Sequence, residues 1–193
     1  MIKKLIPVGI IIILILYGIN VNNSLVNQQE NVKEAWSQVE TQYQRRSDLI
    51  PNLVATVKGA ANFEKSTLTA VTEARSKATS IQVDPSKLNN PQVLQNFQQA
   101  QSQLSGALSR LLVTVERYPD LKANQNFRDL QVQLEGTENR ITVARERYNS
   151  AARKYNSSIR RFPGSLFAGI LGFHNMAYFK AEKGSQKAPQ VKF

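Results

Sequence analysis

The sequence predicts an all-α fold: an N-terminal transmembrane helix followed by a bundle of three to four long antiparallel helices and a C-terminal apolar loop segment. Three observations predict it. Apolar positions recur in alternating steps of four and three over long stretches, which places them on one stripe of a helix. No stretch of useful length shows the strict apolar–polar alternation of a strand. Proline and asparagine clusters interrupt the helical pattern at only a few places.

The first element is the apolar run from Leu5 to Val21, which Lys3 and Lys4 precede and after which no charge appears until Glu30. About 20 residues at roughly 1.5 Å rise each match the hydrocarbon thickness of a bilayer. Residues 5–22 are therefore read as a membrane anchor carried by Leu5, Ile11, Ile13 and Leu16, with Tyr17 at the interface. A secretory signal peptide begins in the same way, but Tyr17-Gly18-Ile19-Asn20-Val21-Asn22 offers no clear small-x-small cleavage site, which favours an uncleaved anchor. The lysines ahead of the run favour a cytoplasmic N-terminus and a bundle outside the cytoplasm.

The bundle is expected over residues 24–161. Leu25, Gln29, Val32, Trp36, Val39 and Tyr43 mark a first helix from about Ser24 to Arg46. Ser47 or Asp48 can cap a following segment with Pro51 in its first turn, where a missing amide donor costs little. Ile50, Val54, Val57, Leu68, Val71 and Ala78 extend the stripe, so this stretch is either a kinked continuation or a second helix. Loop signals at Val83-Asp84-Pro85-Ser86 and Asn89-Asn90-Pro91 precede a helix over 91–118, striped by Phe97, Gln101, Leu104, Leu108, Leu111, Val115 and Tyr118. Tyr118-Pro119-Asp120 reads as a turn, and a long final helix carries Phe127, Leu134, Ile141, Ala144, Tyr148, Tyr155 and Ile159. Gly136 inside it costs up to about 1 kcal/mol relative to alanine, too little to break so regular a stripe.

Composition excludes several kinds of chemistry. The 193 residues contain no cysteine, so disulfides and thiolate metal sites are ruled out, and the lone histidine, His174, argues against most metal and acid–base schemes. Phosphate-binding glycine loops, H-E-x-x-H and G-x-S-x-G are all missing from the chain. No enzyme activity, cofactor or metal is expected. The net charge of +11 is concentrated late, with eleven Lys/Arg against Glu146 and Glu182 over residues 139–193. No nucleic-acid motif accompanies these charges, so nucleic acid is an unfavoured partner and anionic lipid the simpler counter-surface.

Two groups of residues are candidates for interaction. Arg45, Arg46 and Asp48, with Pro51, form either a charge-complemented structural corner or a docking face; Trp36 reads as a core anchor. Residues 162–179 are rich in apolar side chains, among them Phe162, Leu166, Phe167, Ile170, Leu171 and Phe173, and are bordered by Arg160, Arg161, Lys180 and Lys183. Such a segment can lie in a bilayer interface, fold back over the open end of the bundle or fill a neighbour's groove. Residues 180–193 read as a basic, flexible tail.

Long motifs carry a family resemblance. Asn31-Val32-Lys33-Glu34-Ala35-Trp36-Ser37-Gln38-Val39-Glu40, Gln44-Arg45-Arg46-Ser47-Asp48-Leu49-Ile50-Pro51-Asn52-Leu53-Val54 and Val57-Lys58-Gly59 form the first block. Tyr148-Asn149 and Tyr155-Asn156 form the second, and the run from Arg161 to Phe173 the third. In these motifs the chain resembles the bacterial LemA family, with small departures such as Gly164 and His174. The resemblance implies a single-pass membrane protein with a long-helix bundle and no established enzymatic activity. It points to a scaffold that binds membrane or envelope proteins or copies of itself; the alternative is a protein that binds lipid surfaces through its basic C-terminal helix and residues 162–179.

Overall fold

The computed structural model describes residues 2–59 and 63–180; the side chains of residues 2–8, 10 and 11, among them the expected anchor residues Leu5 and Ile11, lie outside that description, as does Lys183. The described residues form helices α1 (Ile2–Lys58), α2 (Lys65–Ser80), α3 (Pro91–Val115), α4 (Pro119–Lys122), α5 (Gln125–Arg160) and α6 (Gly164–Leu171), with a 3-10 turn at Pro85–Lys87 and no strand. At about 1.5 Å per residue, the 57 residues of α1 extend some 85 Å. The two longest helices, α1 and α5, pack against each other over most of the bundle, while α2 and α3 form the second pair. The loop signals at Asp84 and Asn90 act as expected: each side chain accepts from the amide two residues on, and Pro85 and Pro91 open the turns they precede.

Two sequence expectations need correction. The first helix neither starts near Ser24 nor ends at Arg46, because α1 runs unbroken through both places. Pro51 consequently lies inside a helix, where its missing N–H orphans the carbonyl of Ser47. Arg75 of α2 supplies the replacement, its Nε donating to Ser47 O at 2.9 Å. The helix thus survives its proline because a neighbouring helix completes its hydrogen bonding. The expected turn at 118–120, in turn, is the start of the four-residue helix α4.

The core has two halves. One surrounds Trp36, Tyr43, Phe97, Tyr148 and Phe179, and the other Ile50, Leu53, Val71, Leu104, Leu111 and Leu134. Between them lies a polar layer built on Arg46, which is only 2% exposed. Its Nη1 donates to Ser105 Oγ at 2.7 Å and to Glu138 Oε2 at 3.0 Å, and its Nη2 to Gln101 Oε1 at 2.7 Å. The guanidinium also lies over the Tyr43 ring, 5.0 Å from its centroid. One side chain of α1 is thereby fastened to both α3 and α5.

Of the expected apolar loop, residues 164–171 form α6, and residues 173–180 carry no regular secondary structure. After α6 the chain turns at Gly172, whose φ of 75° suits a residue without a Cβ, and continues as an extended strap along α5. The strap is gripped by its backbone. Asn156 bonds both polar groups of Met176, accepting from its N–H at 2.7 Å and donating to its carbonyl at 2.9 Å. Asn149 treats Phe179 alike, at 2.9 and 3.1 Å. Tyr148 Oη donates to Ala177 O at 2.9 Å, and the Ala177 N–H donates to Leu88 O at 2.9 Å. Burial raises the Tyr148 phenol above its ordinary pKa, so it stays a donor across the accessible pH range.

Two stability predictions follow from these contacts. Arg46→Ala should lower the unfolding free energy in urea by about 3 kcal/mol, since it strands several buried acceptors, whereas Glu138→Gln should cost roughly 1 kcal/mol or less because that carboxylate is half-exposed. Asn156→Ala should cost about 2 kcal/mol and speed hydrogen exchange at Met176 and Phe179 while leaving the α2–α3 pair protected.

Candidate functional site

The end of the molecule where α1 enters the bundle carries an unusual concentration of uncovered apolar surface. Ile12, Ile13, Leu14, Ile15, Leu16, Tyr17 and Ile19 are all exposed. Successive residues point about 100° apart, so these positions cover every face of the helix, and none of them joins either half of the core. Helix α6 docks just above. The Phe167 ring sits against Gly18 so closely that a Cβ there would come within 2.9 Å of Cε1, and its centroid lies 5.7 Å from that of Tyr17. Gly18 is therefore the notch that admits α6.

The outer face of α6 and the turn before it is bare: Phe162 is 84% exposed and Ile170 76%, with Leu166 and Leu171 beside them. Arg160 and Arg161 are exposed at the end of α5, next to this face. The structure divides the sequence candidates more finely than their spacing did. Phe162, Leu166, Ile170 and Leu171 face outward, Phe167 meets α1, and Phe173 packs against the core. Lys180 does not join the arginines, because its carbonyl is bound by Arg145 and Gln98, roughly 22 Å along α5 from Arg160.

Among the described residues no helix is long and apolar enough to cross a membrane. The described side chains of the apolar run lie at residues 12–21, about half the length that a span requires. Nor do the described residues gather three His, Cys, Asp or Glu side chains in a way that could hold a metal.

The first candidate group also separates. Trp36 is a fully buried anchor, its ring 5.2 Å from Phe97, 5.7 Å from Tyr148 and stacked 5.9 Å from Phe179. Arg46 belongs to the core layer and Pro51 lies exposed on the helix surface, so neither forms a corner. Arg45 and Asp48 do share a surface feature. With Glu40, Thr41, Gln44 and residues 82–85 they line an open cleft of about 950 Å³. Its inner wall, at Glu40, Gln44 and Gln82, continues into a cavity of about 120 Å³ between α1, the end of α2 and α3. Burial raises the Glu40 carboxyl above its usual pKa, an effect that the nearby Trp36 indole N–H partly opposes. Backbone and side-chain hydrogen bonds from Ser86 hold Asp84 below the usual carboxylate range.

What sequence reasoning missed is the use of Asn149 and Asn156. Their spacing of seven on one helix face, each directly after a tyrosine, was the available signal.

The model of the LemA family matches residues 35–193. A curated relative, Protein LemA of Metamycoplasma hominis, is 30% identical over 194 residues, an alignment covering 94% of this chain and 84% of the relative. On this evidence, the chain belongs to the LemA family.

Proposed function

We propose that this chain is a membrane-anchored, non-catalytic interaction protein of the bacterial envelope, in which α1 serves as both anchor and structural spine. One observation carries the reading. The exposed apolar residues 12–17 and Ile19 belong to the same unbroken helix that runs on to hold the core together. Family membership supports an envelope-associated protein without enzymatic activity. In this reading the apolar run beginning at Leu5 crosses the bilayer, and the bundle presents its helical faces to membrane proteins or to further copies of itself.

The bare face of α6 favours a second role, contact with the lipid surface itself. Each apolar side chain moved from water into the acyl boundary contributes up to about 1.5–3 kcal/mol, and each basic residue near an anionic leaflet about 1 kcal/mol. Phe162, Leu166, Ile170 and Leu171, with Arg160 and Arg161 on the shoulder, combine the two terms.

The absence of cysteine gives direct tests. The full chain in anionic vesicles should resist carbonate extraction, and Ile13→Lys with Leu16→Lys should release it, since each charge costs about 3 kcal/mol within a span. A polarity-sensitive dye on Ile170→Cys should shift to the blue and be quenched by bilayer-resident quenchers, whereas the same dye on Val113→Cys, far along α3, should report water. Equal signals from the two sites would remove α6 from the bilayer surface. Labelling of Ser185→Cys in intact cells by an impermeant thiol reagent should succeed before lysis if the bundle lies outside the cytoplasm.

A further inference from the structure

We propose that the seam between α1 and α5, on the side of α5 away from the strap, binds an extended acidic peptide segment of a partner protein. Such a partner gives the interaction role its chemistry; the site rests on that role and not on the anchor.

The molecule already shows the device in use. On one face of α5, Asn149 and Asn156 stand seven residues apart and hold the strap by its backbone. Helix α1 repeats the spacing on its own surface. Asn20 and Asn27 are seven apart, as are Asn31 and Gln38, and at about 100° per residue all four point within about 40° of one another. All four are exposed, and their side chains make no hydrogen bond among the described residues. Water alone can satisfy such a stripe; the wall that faces it gives it a use.

That wall is a line of cations. Arg140, Arg147 and Lys154 follow one another every seven residues along α5, about 10.5 Å apart, on the face roughly opposite the asparagines that hold the strap. The bonds from Arg46 to Glu138 and from Ser158 to Gln28 fix the antiparallel register of the two helices, so Lys154 comes level with Asn31 and Arg147 with Gln38. Asn20, Asn27 and Asn31 line an open cleft of about 700 Å³ with Lys154, and Gln38 lines one of about 450 Å³ with Arg140 and Arg147. No carboxylate lines either cleft; Glu34 and Glu146, exposed on the same two helices, lie outside both. Among the described residues none of the three cations makes an ion pair, and Arg140 donates to the neutral Thr137 Oγ1 at 3.0 Å.

Three properties of the seam select the occupant. Cations without acids beside them call for an anion. Amides that both donate and accept call for free N–H and C=O groups, which an extended peptide offers and an α-helix has spent on itself. Neither cleft contains an aromatic side chain, so nothing there stacks on a nucleobase. From Asn20 to Gln38 the seam runs about 27 Å, the length of roughly eight extended residues.

The test is isothermal titration calorimetry of the full chain in neutral detergent micelles. The peptide Ac-(Glu-Thr)5-NH2, whose threonines favour extended backbone, should bind saturably, and Ac-(Gln-Thr)5-NH2 should not. Arg147→Gln with Lys154→Gln should weaken the acidic peptide at least about tenfold, or roughly 1.4 kcal/mol. Asn31→Ala with Gln38→Ala should weaken it at least about threefold while leaving every charge in place, an effect that a purely coulombic surface would not show. These four side chains are exposed, so both variants should melt with the parent. An alanine-rich helical peptide with five glutamates on one face, and a thymidine hexamer with five phosphodiesters, should each bind at least about tenfold more weakly than the extended acidic peptide.

Absence of saturable binding, or unchanged affinity in either variant, would overturn the proposal. Equal binding of the glutamine peptide would overturn it while leaving the interaction role in place, and carbonate extraction judges the anchor separately. Equal binding of the helical peptide or of the hexamer would overturn it in favour of that occupant.

Discussion

The Arg46 layer is the constraint on which the rest of the bundle depends. Apolar helices slide against one another at little cost, because one leucine fits a groove nearly as well as the next. A buried guanidinium does not, since its donors must meet Ser105, Gln101 and Glu138 at hydrogen-bond distance. A shift of one turn on α3 or α5 would strand the charge among apolar side chains, at a cost far above that of the lost packing. The layer thus sets the register of three helices at once, as a single polar residue does in a coiled-coil seam. The same stretch of α1 carries Ser47 and Pro51, so the bond from Arg75 that repairs the helix also positions α2.

A second matching of lengths governs the other half of the core. Seven residues of α-helix rise about 10.5 Å, and three residues of extended chain span about 10 Å. Asn149 and Asn156 can therefore each grip a peptide group three residues apart on the strap. Phe179 and Met176 are carried inward to close the space around Trp36 that α2 and α3 leave open. A helix pair and an extended segment thus share one core, although no sheet is present among the described residues.

Much of this was legible in the residues. The four-three stripes located the long helices, and Asp84 and Asn90 marked their loops, because helix periodicity and capping act over a few neighbouring positions. Pro51 misled, since the partner that excuses it, Arg75, lies 28 positions downstream. Arg46 read as part of a structural corner or a docking face, because its burial rests on partners 55 to 92 residues away. Gln101 standing in an otherwise apolar stripe was the visible trace of that layer. The seam of Phe162, Leu166, Ile170 and Leu171 was apparent as composition, but only the seating of Phe167 against Gly18 separates the residues that face outward from those that face the protein.

The strap also dictates an order of events. It follows every helix that it touches, so while the chain is being made or moved across a membrane, Trp36 and Tyr148 have no cover from Phe179. The half of the core farther along α1, around Leu53 and Leu104, needs nothing beyond α5 and can form first. The asparagine ladder then works as a clasp, and any agent that meets the nascent chain before it closes encounters a tryptophan-lined trough that the finished protein conceals.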